Sequence, residues 1–360
     1  MKNAQATIRD LALRLNTSIS TVSRALRGHQ DIRPETKKAV LEMAKKLHYE
    51  PNRVAQSLRI NKTNTLGVIV PEIVMHFFSS SLSGIQEYAA KHGYSMMVCQ
   101  SMESYRTEKS NIHTLVSNRV DGLLISLSSD TKHFDHLQQL IDKKIPIVLF
   151  DRVCDELNVS KVVVDDCKAS FRAADYLVKT GCKRIAYIAG PENLYISQQR
   201  QRGYLDALQK NNISPSEALI IHCSDLHADP VGATQQLLNL PEMPDAIFCM
   251  NDPIAILAIQ VLKEKQIKIP EEISVIGFTN EPVSNFIEPS LTTVSQPSYE
   301  MGRTAAKLFI DQVENPESFK PVTKVLHTKF IIRNSTRKLP QHLELLKSVV
   351  QNGPQSLVRR

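Results

Sequence analysis

The chain has 360 residues, 42% of them hydrophobic, enough for two or three domains each with its own core. Its net charge is +7, yet residues 1–62 hold thirteen Lys or Arg against five Asp or Glu, so the excess sits on a short N-terminal piece and the remainder is near neutral. Six scattered cysteines without a C-x-x-C pair point to a reducing compartment, and the sequence shows neither an apolar leader nor eighteen consecutive apolar residues, which argues against export and membrane spanning.

In chain order, Thr7-Ile8-Arg9-Asp10 reads as a helix start, with Thr7 as N-cap and Asp10 three residues on. Ile8, Leu11, Ala12 and Leu15 follow at i, i+3, i+4 and i+7, one apolar face. Asn16-Thr17 breaks the pattern. Ser18 caps a second helix with Val22, Ala25 and Leu26 inward, and Gly28 ends it. Pro34 suits the first position of a third helix, which buries Val40, Met43, Ala44 and Leu47. Two short helices across a tight turn, completed by a third, describe a helix-turn-helix. On its second helix Ile19, Ser20, Ser23 and Arg24 point away from the core, where such residues meet base edges in a major groove. An ordinary three-helix bundle is the alternative, and it leaves an exposed isoleucine beside an unpaired arginine unexplained.

Residues 52–59 form an N-capped helical stretch too short to be stable alone in water. From Thr65 onward, apolar runs at 66–71, 95–100, 122–126, 146–151, 161–165, 184–190, 219–223, 245–250 and 274–278 alternate with helical patterns. Apolar strands between helices imply parallel sheets covered on both faces, which take ligands beyond the carboxyl ends of their strands. His133 and His136 fall at i, i+3 on an expected helix with no third ligand near in sequence, so a solvated helix face is expected rather than a zinc site. No phosphate-binding loop, G-x-G-x-x-G or G-x-S-x-G run is present, and neither an enzyme nor a cofactor is expected. Leu339, Leu343, Leu346 and Val350 recur with 4-3-4 spacing, too short a repeat to assign a coiled coil.

Three runs in the head (Thr7–Ala12, Ser20–Leu26, Tyr49–Leu58) and five in the body (Leu66–Pro71, Val120–Ile125, Pro146–Arg152, Asn251-Asp252, Ser274–Phe278) resemble the lactose-repressor (LacI/GalR) family of bacterial transcriptional regulators. The resemblance covers nearly the whole chain. It implies a small all-α helix-turn-helix head at 1–50, a hinge helix at 51–62 and an α/β two-lobed, type I periplasmic-binding-protein-like body of parallel sheets at 63–335. The first lobe would hold about 63–162 and 292–326 and the second 163–291 and 327–335, leaving a tail at 336–360.

The same resemblance implies a regulator, specifically a repressor, that binds a pseudo-palindromic operator in double-stranded DNA. Its contacts would be Thr7, Ser18, Ile19, Ser20, Thr21, Ser23, Arg24, Arg33, Tyr49, Asn52, Ala55, Gln56 and Leu58. Leu58 would enter the minor groove as an apolar wedge; packing of Leu58 on the body is the alternative. Arg33 departs from the small N-capping residue more usual in the family. A small effector, a sugar or sugar derivative, would lie between the lobes against Phe77, Phe78, Asp151, Arg200, Asn251, Thr279 and Gln296. Phe77 and Phe78 read equally well as core, an Arg200–Asp151 ion pair is a structural alternative, and Asp252 is expected to cap the helix that begins at Pro253. Thr279 stands where many sugar-responsive members carry an aspartate, which leaves the effector's identity open. A cytoplasmic homodimer without membrane association is expected, a tetramer built through the tail being the alternative. A solute receptor would share the body but has no use for the basic head.

Overall fold

A computed structural model describes residues 6–49, 62–223 and 229–339. The chain divides between Asn64 and Thr65 into a small head and a large body, each compact in itself.

The head is three helices, α1 (Ile8–Arg14), α2 (Ile19–Leu26) and α3 (Pro34–Lys46). Thr7 and Asp10 form a reciprocal capping box on α1: the Thr7 N–H donates to Asp10 Oδ2 at 2.8 Å, and the Asp10 N–H donates to Thr7 Oγ1. Ser18 Oγ accepts from the Thr21 N–H and caps α2. Gly28, at φ +73°, supplies the left-handed residue that ends it. Pro34 opens α3, and its N-cap Arg33 makes no side-chain capping bond. Leu11, Ala12, Val22, Ala25, Val40 and Ala44 form the core of the head, with Met43, Leu47 and Tyr49 packed on it.

In the body the chain runs β1 (Thr65–Val70), α4 (His76–Lys91), β2 (Ser95–Gln100), α5 (Tyr105–Ser117), β3 (Leu123–Ile125), α6 (Asp135–Asp142), β4 (Ile147–Phe150) and β5 (Ser160–Val164). It continues through α7 (Asp166–Lys179), β6 (Ile185–Ala189), α8 (Tyr195–Lys210), β7 (Ile220–His222), α9 (Asp229–Leu238), β8 (Ala246–Cys249), α10 (Asp252–Glu264) and β9 (Ser274–Thr279). The last elements are β10 (Thr292–Ser295), α11 (Ser298–Glu314), β11 (Thr323–Leu326) and β12 (Lys329–Ile331). Two six-stranded sheets result, ordered β11-β5-β4-β3-β1-β2 and β12-β10-β9-β8-β6-β7. Every pairing is parallel except that of β12 with β10.

The inner strands of each sheet are buried on both faces, as their unbroken apolar runs require, while β2, β11 and β12 are partly exposed. Along β1, Val68 and Val70 pack towards α4 and α11, while Ile69 packs towards α5 and α6, the period-2 alternation of a strand between two helical layers. Gly84 on α4 and Gly302 on α11 let those helices approach at backbone contact: a Cβ on Gly84 would collide with the Tyr299 carbonyl, and one on Gly302 with the Ser81 carbonyl.

Three short connections join the lobes, and the structure moves two of them from their expected places. β5 continues to Val164 because Val163 and Val164 pair with Val325 and Leu326 of β11, so the first crossing falls at Asp165 rather than near Val162. Thr292–Ser295 pair with Ile276–Thr279 in the second sheet, so the second crossing falls at Gln296-Pro297 rather than near Thr292. The third lies between Leu326 and Lys329, beside His327. Residues 336–339, expected to begin the tail, belong to the second lobe: Tyr176 Oη donates to the Arg337 carbonyl, Arg337 Nη2 donates to the Glu271 carbonyl, and Leu339 is buried in the core. Leu343, Leu346 and Val350 lie outside the described residues.

His136 is not on a solvated face. It is buried, and its Nε2 meets Glu108 Oε1 at 2.9 Å, while His133 precedes α6 altogether. Among the described residues no helix is long and apolar enough to cross a membrane.

Candidate functional site

Two places gather chemistry, one in each unit. On the head, Ile19 is 44% exposed, and Ser18, Ser20 and Arg24 are exposed beside it. The edge is ordered by its own hydrogen bonds. Ser18 Oγ lies 2.7 Å from Ser20 Oγ and 2.8 Å from Thr21 Oγ1, and half-buried Ser23 receives Arg27 Nη2 at 3.1 Å. Arg24 is not unpaired, as the sequence reading had it: its guanidinium meets the Asp31 carboxylate, both groups being half-exposed. An exposed pair of this kind is weak and exchangeable, so Asp31 orients Arg24 without sequestering it. Thr7 and Arg33 are exposed. Tyr49 is half-buried against the head core, and burial pushes its phenol above the usual range. Arg27, not among the expected contacts, also donates its Nε to the Ser23 carbonyl, and its i, i+4 spacing from Ser23 is the one sequence signal for it. Asn52, Ala55, Gln56 and Leu58 lie outside the described residues.

In the body, a cleft of about 1050 Å³ opens between the lobes. Glu72, Gln100, Glu103, Ser129, Asp130 and Lys132 line it from the first lobe and Asn193, His222 and Asn251 from the second. Of the seven expected ligand contacts, Asn251 belongs to this lining. Its side chain also caps α10, Oδ1 accepting from the Ile254 N–H at 3.0 Å, the role expected of Asp252. Asp252 instead lies wholly buried and accepts from the Glu281 N–H at 2.8 Å, Ser284 Oγ at 2.6 Å and Thr293 Oγ1 at 2.5 Å. Burial outweighs those bonds and pushes its carboxyl up to about 6.

Asp151 and Arg200 are buried and do not belong to the lining. Arg200 does not pair with Asp151. Its Nε donates to Asp166 Oδ1 at 2.7 Å, its Nη1 donates to the Met250 carbonyl next to Asn251, and its guanidinium sits 3.7 Å from the Phe278 ring centroid. Burial pushes Asp166 up to about 6 despite Arg200. Asp166, the residue that opens α7, was missed because nothing local distinguishes it from a helix-starting acid. Asp151 follows β4 at φ +58° and accepts from Gln296 Nε2 at 3.3 Å, and burial holds its carboxyl above the usual range although Arg200 and Arg152 oppose the shift. The neighbouring Arg152 pairs with Glu103 at 2.6 Å. Burial also raises Glu103, but Arg152 and the Ser129 N–H together hold that carboxyl below its ordinary value. Phe77 and Phe78 are core residues of the first lobe, their rings edge to face at 5.2 Å. Thr279 ends β9 at φ +113°, and among the described residues its buried Oγ1 has no hydrogen-bond partner.

A basic three-helix head followed by a two-lobed body with a hydrogen-bonding cleft is an arrangement found in known proteins. Residues 7–52 match the model for bacterial regulatory proteins of the lacI family, and residues 63–336 match that for periplasmic binding proteins and the sugar binding domain of the LacI family. The chain belongs to the LacI family of bacterial regulatory proteins. It is 35% identical over 335 residues to the HTH-type transcriptional repressor CytR of Escherichia coli strain K12, covering 93% of this chain and 97% of that one. It is 30% identical to the HTH-type transcriptional repressor PurR of Vibrio atlanticus strain LGP32, over 93% of this chain and 99% of that one. Among solved structures, the lac repressor dimer bound to operator and the anti-inducer ONPF superposes with a TM-score of 0.82 at 25% identity, over 92% of this chain and 99% of that one. The transcriptional regulator CelR in complex with cellobiose superposes with a TM-score of 0.70 at 29% identity, over 92% and 99%. As a member of this family the chain is a DNA-binding transcriptional regulator under small-molecule control, not an enzyme.

Proposed function

We propose that the chain is a cytoplasmic repressor that binds a pseudo-palindromic operator as a homodimer and is switched by an uncharged sugar or sugar-containing metabolite held between its lobes. The observation that carries this reading is the pairing of an exposed α2 edge with the polar interlobe cleft. On the DNA side, α2 enters the major groove, with Ile19 and Ser20 against bases and Arg24 swinging from Asp31 to a guanine edge. Thr7, Ser18, Thr21, Ser23, Arg33 and Tyr49 position the head on the backbone. The hinge residues Asn52, Ala55 and Gln56 support a minor-groove wedge at Leu58.

On the ligand side, the Gln100 and Asn251 amides offer N–H donors and the Asn193 amide an acceptor suited to hydroxyls. Glu72, Glu103, Asp130 and Glu192 line the cleft against Lys132 and His222. The arginines behind the lining already face carboxylates, Arg152 with Glu103 and Arg200 with Asp166. That balance favours a neutral polyol over a phosphorylated one. Thr279 and Gln296 complete the site from the second lobe and the crossing, and Phe77 and Phe78 act from behind as packing.

A thermal-shift screen of sugars against their phosphates tests the ligand, since a true effector stabilises the protein in proportion to its occupancy. A neutral sugar should raise Tm and release operator DNA in a mobility-shift assay. Stabilisation by the phosphate alone would replace this reading with a phosphosugar sensor. On the DNA side, Leu58→Ala should weaken operator binding far more than binding to random DNA, and equal losses on both would remove the wedge.

A further inference from the structure

Away from the three crossings and among the described residues, a short turn of the second lobe, residues 191–195, reaches the first lobe at the mouth of the cleft. Asn193 Nδ2 reaches across and donates to the Ser129 carbonyl at 2.6 Å, with the Thr131 carbonyl at 3.5 Å. Two residues on, Tyr195 packs against the apolar cluster of the first lobe formed by residues such as Val153, Cys154 and Leu157. We infer that this turn is a latch that holds the lobes closed, with Asn193 as its positioning residue.

Both halves of the latch are fixed before they meet. On the second lobe, Leu194 is buried in the core and its N–H donates to the Pro191 carbonyl, and Gln198 Nε2 donates to the Glu192 carbonyl at 2.9 Å. The turn is therefore anchored on either side of Asn193. On the first lobe, the receiving loop is held by two carboxylates, one buried and one half-buried. Glu108, wholly buried, accepts from the Ser128 N–H at 2.8 Å and from Thr131 Oγ1 at 3.1 Å. Glu103 accepts from the Ser129 N–H at 2.8 Å. The Ser129 and Thr131 carbonyls are thus presented at set positions, and an amide with two donors is the side chain that fits them. A hydrogen bond between two preorganised partners forgoes little conformational freedom when it forms, which is what a closing contact needs.

Asn193 and Ser129 both line the ligand cleft, so the latch spans the entry and opening it widens the mouth. Its strength sets how much of the ligand-free protein is closed, and a ligand that prefers the closed form gains affinity in proportion. The latch itself requires no assumption about which molecule fills the cleft; its consequence for regulation rests on the effector reading above.

The test uses the full chain without ligand. The sequence contains no Trp, so Tyr195→Trp places a single emission reporter at the interlobe contact. In that background Asn193→Ala removes the donor, and the isosteric Asn193→Asp turns a carboxylate onto two carbonyl oxygens. The latch predicts a red-shifted emission and a roughly 2- to 10-fold rise in the open population for Asn193→Ala, the range expected for one net hydrogen bond. Asn193→Asp should open the lobes at least as far, with the melting temperature of both variants near that of the parent. Hydrogen exchange on the same Asn193 variants with Tyr195 retained gives a second reading over residues 127–134 and 190–198. Unchanged emission and exchange in both variants would overturn the latch, and so would an Asn193→Asp protein that behaves like the parent while Asn193→Ala opens, since only a local packing role tolerates the isostere.

Discussion

Asp252 carries a carboxylate into the second lobe where three donors meet it, and the resulting compromise between burial and hydrogen bonding is measurable. Its folded value of about 6 lies above the unfolded 3.8, so folding takes up a proton between those values. The associated stability is fully present below the unfolded value and is lost as pH rises through about 6. Asp252→Asn keeps the shape, loses one acceptor and cannot take up that proton. Urea unfolding should therefore find it less stable than the parent at both pH 5 and pH 7.5, with a deficit about 1 kcal/mol larger at pH 5. An equal deficit at both values would mean the carboxylate is ionised throughout. Arg200 is a second case. Arg200→Ala leaves Asp166 buried without its partner, so a loss of about 3–5 kcal/mol in urea unfolding is expected along with any loss of effector response. Operator binding by the ligand-free variant, measured well below its melting temperature, separates the two effects.

Among the elements, the short head helices depend on their ends. α1 has seven residues, and the Thr7–Asp10 box supplies bonds for groups the helix cannot satisfy internally. Thr7→Ala should lower head stability by about 1 kcal/mol, read as earlier thermal loss of operator binding. The α4–α11 contact depends on two residues without side chains. Gly84→Ala should destabilise the body by about 1–3 kcal/mol in a thermal melt because a Cβ there meets main chain that cannot swing aside. These features were visible in the sequence to different degrees. A capping box is a pattern of neighbours and can be read directly. The glycines stand 218 residues apart, and only the packed helices show that each lies against the backbone of the other's helix.

For the whole molecule, a strongly basic first sixty-two residues joined to a near-neutral body make binding to DNA salt-dependent. Affinity for random duplex should fall steeply as salt rises, through release of counterions, while sugar binding in the uncharged case should hardly change. A salt-insensitive DNA affinity would contradict the role of the head. The helix-turn-helix and the alternation of strands with helices were legible in the sequence, because local spacing decides which face of an element is apolar and which end is capped, whereas the two-lobed body was implied by the family resemblance. Asn251 was expected at the cleft from its position after a strand, and Arg200 only from the family resemblance. Which buried charges pair emerges from packing alone. Arg200 meets Asp166 rather than Asp151, His136 meets Glu108 rather than solvent, and Asp252 meets Thr293 while Asn251 takes the cap. Periodicity encodes that a residue is buried, but a buried polar group takes whichever partner the packed layers bring within about 3 Å, and that choice is made across the sheet rather than along the chain.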